Sequence, residues 1–486
     1  MSDPDGAVRL AAPWVAGRSL EPEGWTEFCD PYRLDPVSRV GLSGEVVVAD
    51  AVRAALEVQP SIGAMPVAER AAVLRRAADI IEGRVEELAV TVTRQIGKAL
   101  KNTRREVGRS AWTLRAAATA AESLEGGVVP TTVSVGGAGL VAMVWRVPVG
   151  VIGAVTPFNA PFNLVAHKLG PAFAGGNAVV IKPASQAALS TLDLVSILEE
   201  AGAPTGAFNV VPGDRRTVHA LTSEPGVALF TLTGGRAAGE AIARGAGTRK
   251  VLLELGGNSP NIVHRDADVD LAARECAAGG FSNTGQSCNS VQRIFVHSAI
   301  AGAFTDALVR EAQKLRVGDP LDAATDVGTL VNSDAAERVE AWLAEAVHRG
   351  ARLLTGGHRE GAGISPTVVV DAPEDTRIVC DEVFGPVVVV LPYDDLDDAI
   401  ARANSSPYGL QAAIFTSSLA VAFAAATRLE AGGVLVNRST NFRLDHLPYG
   451  GVKASGIGRE GPAYAIEEMT DLKLVLIDPD PIARLS

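Results

Sequence analysis

The sequence of 486 residues has only four cysteines, no surplus of positive charge and no long hydrophobic run. The cysteines are scattered without CxxC or Cys/His ligand spacing, so we expect no metal site and no disulfide framework, as in a reducing compartment. They are Cys29, Cys276, Cys288 and Cys380. Basic residues number 44 against 56 acidic ones, and the net charge of −12 argues against a nucleic-acid partner.

Apolar stretches are short throughout the chain. Windows such as 147–155 and 227–232 stop at Gly or Pro, well before the roughly 18 residues that a membrane span requires. Residues 1–11 carry Asp3 and Asp5 and lack both the basic start and the apolar run of a signal peptide. We therefore expect a cytoplasmic protein without a membrane partner, long enough for two or three domains.

The N-terminal third is helical in pattern. Apolar residues recur at steps of three and four between 68 and 124, with an interruption near Gly97, which predicts two or three packed helices. Residues 126–147 have β-branched runs on both sides of a Gly-Gly pair, which predicts a β-hairpin. The alternating segment 465–477 is expected to pair with this hairpin or with a neighbouring subunit.

Short apolar runs alternate with helical stretches after Val149. The runs VGVIGAVTP, AVVIKP, AFNVVPG and VALFTLTGG predict a parallel sheet of βαβ units with both faces buried. A second series follows Glu254 and contains IFVHS, TVVVD, VVVVLPY and GVLVN. The predicted fold class is therefore α/β with a second domain.

Three residues are candidates for chemistry on local grounds. Cys288 lies among small polar residues in SNTGQSCNSVQR and suits a nucleophile, although a lone cysteine is more often a structural one. Glu254 ends an apolar strand before two glycines and suits a base, or it is a solvated or salt-bridged residue. Asn159 follows the first parallel strand, where its amide could hold an oxyanion or cap the next helix.

The dinucleotide signal is indirect. The sequence has no GxGxxG, but Gly234 and Gly239 form a GxxxxG turn between an apolar strand and a helix. The N-terminus of such a helix can receive a pyrophosphate.

Seven blocks in order resemble the aldehyde dehydrogenase superfamily over nearly the whole chain. The blocks are TPFNAPFN (156–163), IKPAS (181–185), LTGGRAAG (232–239), LELGGNSP (253–260), NTGQSC (283–288), DEVFGPV (381–387) and PYGGVKASGIGREG (448–461). The resemblance implies a Rossmann-like NAD(P)-binding domain, an α/β catalytic domain and a small β oligomerisation arm. The boundaries that it implies are 1–125 with 148–253, then 254–430, and 126–147 with 462–486 for the arm of a homodimer or homotetramer.

The resemblance also implies a reaction. Cys288 would attack an aldehyde to give a thiohemiacetal, whose oxygen is held by the side chain of Asn159 and the backbone N–H of Cys288. After hydride transfer to the nicotinamide, Glu254 would activate the water that hydrolyses the thioester. Members that pass the acyl group to coenzyme A typically lack this carboxylate, so its presence favours hydrolysis.

The cofactor implied is NAD or NADP, without a metal. The residues that match the cofactor-binding positions are Thr156, Phe158, Lys182, Ser185, Gly234, Gly235, Gly239, Leu255, Glu382 and Phe384. Ser185 stands where members that prefer NAD often carry Glu, and a neutral residue removes the repulsion of a 2′-phosphate. NADP is then tolerated or preferred; alternatively, Ser185 caps the helix starting at Gln186 and NAD dominates.

The substrate-binding residues implied are Arg109, Ser287, Asn289 and Arg443. The two arginines are similar to those of lactaldehyde, phosphonoacetaldehyde and non-phosphorylating glyceraldehyde-3-phosphate dehydrogenases, and they favour a small aldehyde with a phosphonate, sulfonate or carboxylate group. Ser287 departs from the Arg that phosphate-binding members often carry before the nucleophile. Arg438 is either an extra cation or a surface substitution.

Other functions remain open from the sequence. A neutral short-chain hydroxyaldehyde such as lactaldehyde, or a general aldehyde, is the main alternative substrate. A catalytically silent binding protein and a thiol esterase are alternatives from other classes.

Overall fold

The computed structural model describes residues 8–479, in which helices and strands alternate along most of the chain. Most of the segment 1–11 and residues 480–486 of the predicted arm lie outside the described residues. The helices are α1 (Glu45–Ala64), α2 (Val67–Gly83), α3 (Val85–Ile96), α4 (Leu100–Glu122), α5 (Asn163–Ala174), α6 (Ala188–Glu200), α7 (Arg215–Ser223), α8 (Arg236–Ala246), α9 (Val269–Phe281), α10 (Ala301–Gln313), α11 (Ser333–His348), α12 (Arg377–Cys380), α13 (Leu396–Asn404), α14 (Leu419–Arg428) and α15 (Pro462–Glu468).

The strands form five sheets within the described residues. They are β1 (Arg9–Ala11), β2 (Trp14–Val15), β3 (Arg18–Ser19), β4 (Trp25–Cys29), β5 (Pro36–Gly41), β6 (Gly127–Val129), β7 (Val141–Pro148), β8 (Val151–Val155), β9 (Ala178–Lys182), β10 (Phe208–Val210), β11 (Val227–Thr233), β12 (Lys250–Glu254), β13 (Ser259–Val263), β14 (Val291–His297), β15 (Arg352–Thr355), β16 (Arg359–Glu360), β17 (Gly363–Ile364), β18 (Thr367–Val370), β19 (Val387–Tyr393), β20 (Gln411–Phe415), β21 (Gly433–Val436), β22 (Gly456–Ile457) and β23 (Thr470–Ile477). None of the helices in residues 8–479 is both long and apolar enough to cross a bilayer.

The larger of the two main sheets has eight strands in the order β22-β12-β11-β8-β9-β10-β2-β3. Strands β8, β9, β10, β11 and β12 are parallel, as the apolar runs predict. The chain builds outward from β8 through β9 to β10, and then returns to the other side of β8 to add β11 and β12. Helices on both faces bury the sheet, with Phe162, Phe173, Phe208 and Phe230 fully inside.

The predicted N-terminal helices are α2, α3 and α4, and the expected interruption near Gly97 is confirmed. Gly97 ends α3 in the left-handed region at φ +71°, and its N–H donates to the carbonyl of Thr93. Glycine is favoured at this position because a Cβ would be strained there and would also meet Thr329.

The second main sheet has seven strands in the order β15-β18-β19-β14-β13-β20-β21, and only β15 is antiparallel. It contains the four runs of the second predicted series. Its last strand, β21, lies beyond residue 430, where the predicted catalytic domain ends. The chain then returns to the first sheet, because β22 pairs with β12, with Gly456 opposite Glu254.

The predicted hairpin is confirmed as β6 and β7, although β6 has only three residues because turns occupy much of 130–140. Strand β23 pairs with β7 along eight residues of the same chain, from Thr470 opposite Pro148 to Ile477 opposite Val141. Leu472, Leu474 and Leu476 of β23 are exposed.

Asn177 links the segments that lead into the small sheet to the eight-stranded sheet, since Gly150 lies between β7 and β8 and Met469 precedes β23. Its side chain is fully buried, accepts from the N–H of Gly150 (2.9 Å), and donates to the carbonyls of Ala172 (3.1 Å) and Met469 (2.9 Å). Asn177→Ala leaves the buried N–H of Gly150 without its acceptor and removes two further side-chain hydrogen bonds, so we expect a loss of about 1–3 kcal/mol of unfolding free energy and a lower midpoint of thermal unfolding. The side chain of Asn102 makes no hydrogen bond to another described residue, so Asn102→Ala is the control; equal midpoints for both variants would contradict the prediction.

Candidate active site

Four candidate residues meet at one edge of the eight-stranded sheet. Thr156, Lys182, Gly234 and Glu254 end or directly follow the neighbouring parallel strands β8, β9, β11 and β12. Ligands of open α/β sheets bind at the carboxyl ends of the strands where the order of strands reverses, which here is between β8 and β11. The topology therefore places these residues where a dinucleotide is expected.

The segment before Cys288 is a left-handed turn. Asn283, Thr284 and Gly285 have φ values of +52°, +56° and +70°. Left-handed backbone costs about 1–2 kcal/mol for each residue other than glycine, so this turn must be held by its surroundings. A Cβ on Gly285 would lie 2.0 Å from the carbonyl oxygen of Gly385.

Side-chain amides hold the turn and position Asn159. The carbonyl of Gln286 accepts from Asn159 Nδ2 (2.9 Å) and from Asn283 Nδ2 (3.0 Å). Asn283 Nδ2 also donates to the carbonyl of Asn159 (3.0 Å). Thus the loop after β8 is bonded directly to the segment that carries Cys288.

The alternative that Asn159 caps the next helix is wrong, because another residue does so. Glu106 of α4 accepts from the N–H groups of Phe162 (2.9 Å) and Asn163 (3.3 Å) at the start of α5. The same carboxylate binds Lys98 Nζ at 2.6 Å. Asn159 instead bonds the carbonyl of Gln286 and lines the cavity beside Cys288.

Cys288 is surrounded by polar groups. Its Sγ lies 3.0 Å from the hydroxyl of Tyr449, a contact that the sequence analysis did not anticipate. Burial raises the pKa of the Cys288 thiol well above its usual value and the charge of Glu254 adds to this, while the Tyr449 hydrogen bond and Arg443 oppose it. The thiol is therefore a poor acid that needs a base and hydrogen-bond donors.

Glu254 lies at the end of β12 and is only 2% exposed. Its Oε1 has no hydrogen-bond partner among the described residues. Burial and the charge of Glu460 raise the pKa of Glu254 to about 8, against the opposing effect of Arg443 and Lys168. A carboxyl group with such a pKa suits proton transfer near neutral pH.

A cavity of about 640 Å³ opens on Cys288. All four predicted substrate residues line it together with two of the three predicted catalytic residues: Arg109, Asn159, Ser287, Cys288, Asn289 and Arg443. Glu254 is not part of this lining. The structure thus brings the predicted substrate and nucleophile residues together around one space.

The two predicted arginines are ion-paired. Arg109 makes two bonds to Asp445, at 2.6 and 2.9 Å, and Arg443 Nη2 lies 3.1 Å from Glu460. Asp445 also accepts from His167 (3.0 Å), and burial with Arg443 lowers the pKa of His167. Neither carboxylate was predicted from the sequence, although Glu460 lies in the block 448–461.

Arg438 lines the cavity and forms an ion pair with a carboxylate. Its Nη1 is 2.8 Å from Glu275, and its guanidinium lies over the ring of Phe442 at 5.4 Å from the centroid. Arg438 therefore lines the cavity as an ion-paired residue.

Three cations of this cavity were not predicted from the sequence, namely Lys98, Lys101 and Arg105, and Arg105 differs from the other two in its lack of a carboxylate partner. The other five lining cations each have a carboxylate within ion-pair distance, in the pairs Lys98–Glu106, Lys101–Asp326, Arg109–Asp445, Arg438–Glu275 and Arg443–Glu460. No described carboxylate pairs with Arg105, which is exposed and one turn before Arg109 on α4. Arg105 and Arg109 are four residues apart, which puts them on the same face of a helix, and this spacing is the signal in the sequence that could have identified Arg105.

At the carboxyl edge of the eight-stranded sheet, two predicted cofactor residues have polar groups without protein partners. Thr156 Oγ1 is buried without a hydrogen bond, and the ammonium of Lys182 has none among the described residues. Burial lowers the pKa of Lys182 to about 8, with Asp214 opposing. Gly235 is the N-cap residue of α8, and no side chain caps the N-terminus of that helix by a hydrogen bond.

Ser185 does not cap the next helix, so that part of the alternative is wrong, while the preference between NAD and NADP stays a prediction. Its Oγ donates to the carbonyl of Gly213 at 3.0 Å, and residues 185–187 form a short 3₁₀ turn before α6 begins at Ala188. The position three residues after Lys182 is thus neutral and occupied by a hydroxyl.

The remaining predicted cofactor residues lie near the glycine turns. Glu382 accepts from the N–H of Gly257 (3.2 Å), and burial raises the pKa of Glu382 to about 7. Phe384 packs edge-on against Phe158, with centroids 5.9 Å apart. Leu255 lies against Gly239, where a Cβ would come within 2.5 Å of its side chain.

A known protein family and a curated relative each match most of the chain. A family model described as "Aldehyde dehydrogenase family" matches residues 14–475. The chain is 43% identical to a 3-sulfolactaldehyde dehydrogenase from Priestia aryabhattai, over 93% of this chain and 94% of that one.

Two solved structures are also similar. Aldehyde dehydrogenase 21 from Physcomitrella patens, in complex with the reaction product succinate, has a TM-score of 0.94 and 37% identity over 97% of this chain and 98% of its own. An NADP-dependent glyceraldehyde-3-phosphate dehydrogenase from Bacillus halodurans, complexed with NADP, has a TM-score of 0.94 and 34% identity over 96% and 98%.

Gly285→Ala tests the left-handed turn. The added Cβ would meet the Gly385 carbonyl, so we expect the unfolding free energy to fall by more than backbone strain alone would cost, which is about 1–2 kcal/mol. This loss should appear as a clearly lower midpoint of thermal unfolding. The control is Gly108→Ala in α4, where a Cβ meets nothing within 4 Å and should stabilise the helix by about 1 kcal/mol. An unchanged midpoint for Gly285→Ala would show that the turn tolerates a side chain.

Proposed function

Since the chain belongs to the aldehyde dehydrogenase family, we propose that it oxidises a small anionic aldehyde to its carboxylate with NAD(P). The observation that carries this proposal is the position of Cys288 between an open cavity with an unpaired arginine and a buried carboxyl group, Glu254. A sulfonate aldehyde is the substrate class that the similarity to a 3-sulfolactaldehyde dehydrogenase favours most.

The residues at the carboxyl edge of the large sheet fit a nicotinamide dinucleotide. Thr156 and Lys182 have unused hydrogen-bonding groups there, and the uncovered start of α8 suits a pyrophosphate. When bound, the nicotinamide supplies the acceptor for the hydride of the aldehyde. Lys182 and Ser185 would hold the adenosine ribose, and the neutral Ser185 tolerates the 2′-phosphate of NADP.

The first chemical step belongs to Cys288. Its S–H proton passes to the carboxylate of Glu254, and the sulfur electron pair forms a bond to the aldehyde carbon. The aldehyde oxygen then carries negative charge, which two donors stabilise. These are the second N–H of the Asn159 amide, whose first N–H bonds Gln286, and the backbone N–H of Cys288, which has no acceptor among the described residues.

Hydrolysis of the thioester on Cys288 requires a base, so Glu254 first releases the Cys288 proton to solvent. The Glu254 carboxylate then takes a proton from water, the resulting hydroxide adds to the thioester carbon and displaces the thiolate, and the proton on Glu254 returns to the sulfur. The burial that raises the pKa of Glu254 makes its carboxylate a stronger base than an exposed one.

The cavity favours an anionic substrate. Five of its cations are neutralised by carboxylates, so the unpaired Arg105 is available to bind an anion beside Arg109. A guanidinium binds sulfonate, carboxylate or phosphonate oxygens through several N–H groups. Two of the similar proteins act on sulfonate or phosphate aldehydes by their names, and the third was solved with a dicarboxylate product.

We also propose an oligomeric state and a cellular location for the protein. The exposed leucines of β23 and the edges of a three-stranded sheet are features that self-association would cover, and a homodimer or homotetramer in the cytoplasm is the proposed state.

A substrate panel tests the anion preference. Anionic and neutral C2 to C4 aldehydes, including lactaldehyde, are each assayed with NAD and NADP by the fluorescence of the reduced cofactor. We expect Arg105→Gln to raise KM for anionic aldehydes about tenfold or more and to leave neutral ones unchanged, because one charged hydrogen-bond donor is lost. Arg109→Gln should act in the same direction.

The control is Arg104→Gln, since Arg104 pairs with Glu86 and does not line the cavity. Equal KM changes for both substrate classes would overturn the anionic preference. Absence of reduced cofactor with every aldehyde would overturn the dehydrogenase, and ester hydrolysis without NAD(P) would then favour a thiol esterase.

The rate of turnover should depend on the ionisation of Glu254. The carboxylate is the active base, so kcat should rise with pH and level off above about 8, where Glu254 is deprotonated. Glu254→Gln should remove this dependence and slow both the first equivalent of reduced cofactor per site and every later turnover, because Glu254 is the base in both steps. Glu340→Gln, an exposed residue paired with Arg359, is the control and should keep the wild-type profile.

A further inference from the structure

The hydroxyl of Tyr449 lies within hydrogen-bond distance of the candidate nucleophile. The distance from Tyr449 Oη to Cys288 Sγ is 3.0 Å. Tyr449 is 4% exposed. Neither the sequence motifs nor the proposed mechanism assigns it a role.

The surrounding backbone and side chains fix the ring of Tyr449. Its N–H and carbonyl exchange hydrogen bonds with Glu460, at 3.0 and 2.6 Å. The guanidinium of Arg443 lies over the ring, 3.9 Å from the centroid. The ring that carries the hydroxyl is therefore held by two other residues, Glu460 through the backbone and Arg443 through its guanidinium.

The charges around Cys288 explain why this donor matters. Glu254 and Glu382 both disfavour a negative sulfur, and Arg443 favours one. Arg443 is itself paired with Glu460, and Lys168 binds the same carboxylate. Two carboxyl groups thus act against the thiolate, and the Tyr449 hydroxyl is the group that bonds to it directly.

We propose that Tyr449 is a catalytic residue whose hydroxyl donates a hydrogen bond to the Cys288 thiolate. This inference rests on the proposed role of Cys288 as the nucleophile. When the S–H bond breaks, the proton goes to Glu254 and the electron pair stays on sulfur, while Tyr449 keeps its own proton. The same hydrogen bond stabilises the thiolate again when it leaves the thioester during hydrolysis.

The environment keeps Tyr449 in the role of donor. Burial raises the pKa of the Tyr449 hydroxyl well above its usual value, and Cys288 and Glu254 add to this effect. The phenol thus stays protonated across the working pH range. The cation of Arg443 over the ring draws electron density from it and strengthens the O–H as a donor.

Tyr449→Phe tests the hydrogen bond, because it keeps the ring beneath Arg443 and removes only the hydroxyl. The rate of alkylation of Cys288 by iodoacetamide is measured against pH, with mass spectrometry to identify the modified residue. We expect the midpoint of the pH dependence of alkylation to move to higher pH by about one unit or more. At a fixed pH below the midpoint, alkylation should then be about tenfold slower. The pH dependence of kcat/KM should shift in the same direction, with little change in thermal unfolding.

Tyr464→Phe is the matched control, since its exposed hydroxyl on α15 forms no hydrogen bond with the described residues. Site-specific fluorotyrosine at 449 has a more acidic hydroxyl and should move the midpoint to lower pH. An unshifted midpoint in Tyr449→Phe, or shifts of the same sign in both 449 variants, overturns the proposal. The alkylation assay needs no aldehyde, so its outcome is separate from a failure of aldehyde oxidation, which would overturn the proposed function instead.

Discussion

The left-handed turn at Asn283, Thr284 and Gly285 is the constraint on which the active site depends. It turns the chain out of α9 so that Cys288 reaches the edge of the other sheet before β14 begins. Such a turn is unfavourable alone and persists because amide groups and a close backbone contact hold it from outside. The positions of the nucleophile and of the amide of Asn159 are thus set by one hydrogen-bond network.

Most of the charged side chains of the site are balanced by ion pairs. A negatively charged protein contains a cavity whose lining is rich in cations, and nearly every cation is balanced by a carboxylate. Lys168, Glu460 and Arg443 form a buried group, and ions removed from water need such partners with good geometry. Pairing keeps Arg443 fixed, and it leaves Arg105 as the charge that a ligand can meet.

Much of the fold was predictable because local patterns determine it. The parallel strands are continuous apolar runs, and Gly97 marks a helix end by its own backbone preference. The positions of Cys288, Glu254 and Asn159 followed from motifs. The partners were not predictable, because Asp445 lies 336 residues from Arg109 and only the tertiary structure brings them together. The role of Tyr449 was hidden for the same reason, since its motif gives no sign that the hydroxyl faces sulfur.

The return of β22 to the first sheet has a consequence for the synthesis of the protein. Chains emerge from the ribosome with the N-terminal part first, and folding begins in that order. Strand β12, which carries Glu254, gains its outer neighbour only when residues 456–457 have been made, and Tyr449 and Glu460 arrive at nearly the same time. The nascent chain thus contains Cys288 and Glu254 well before Tyr449, and the contact between the Tyr449 hydroxyl and the sulfur forms only after residue 449 has been made.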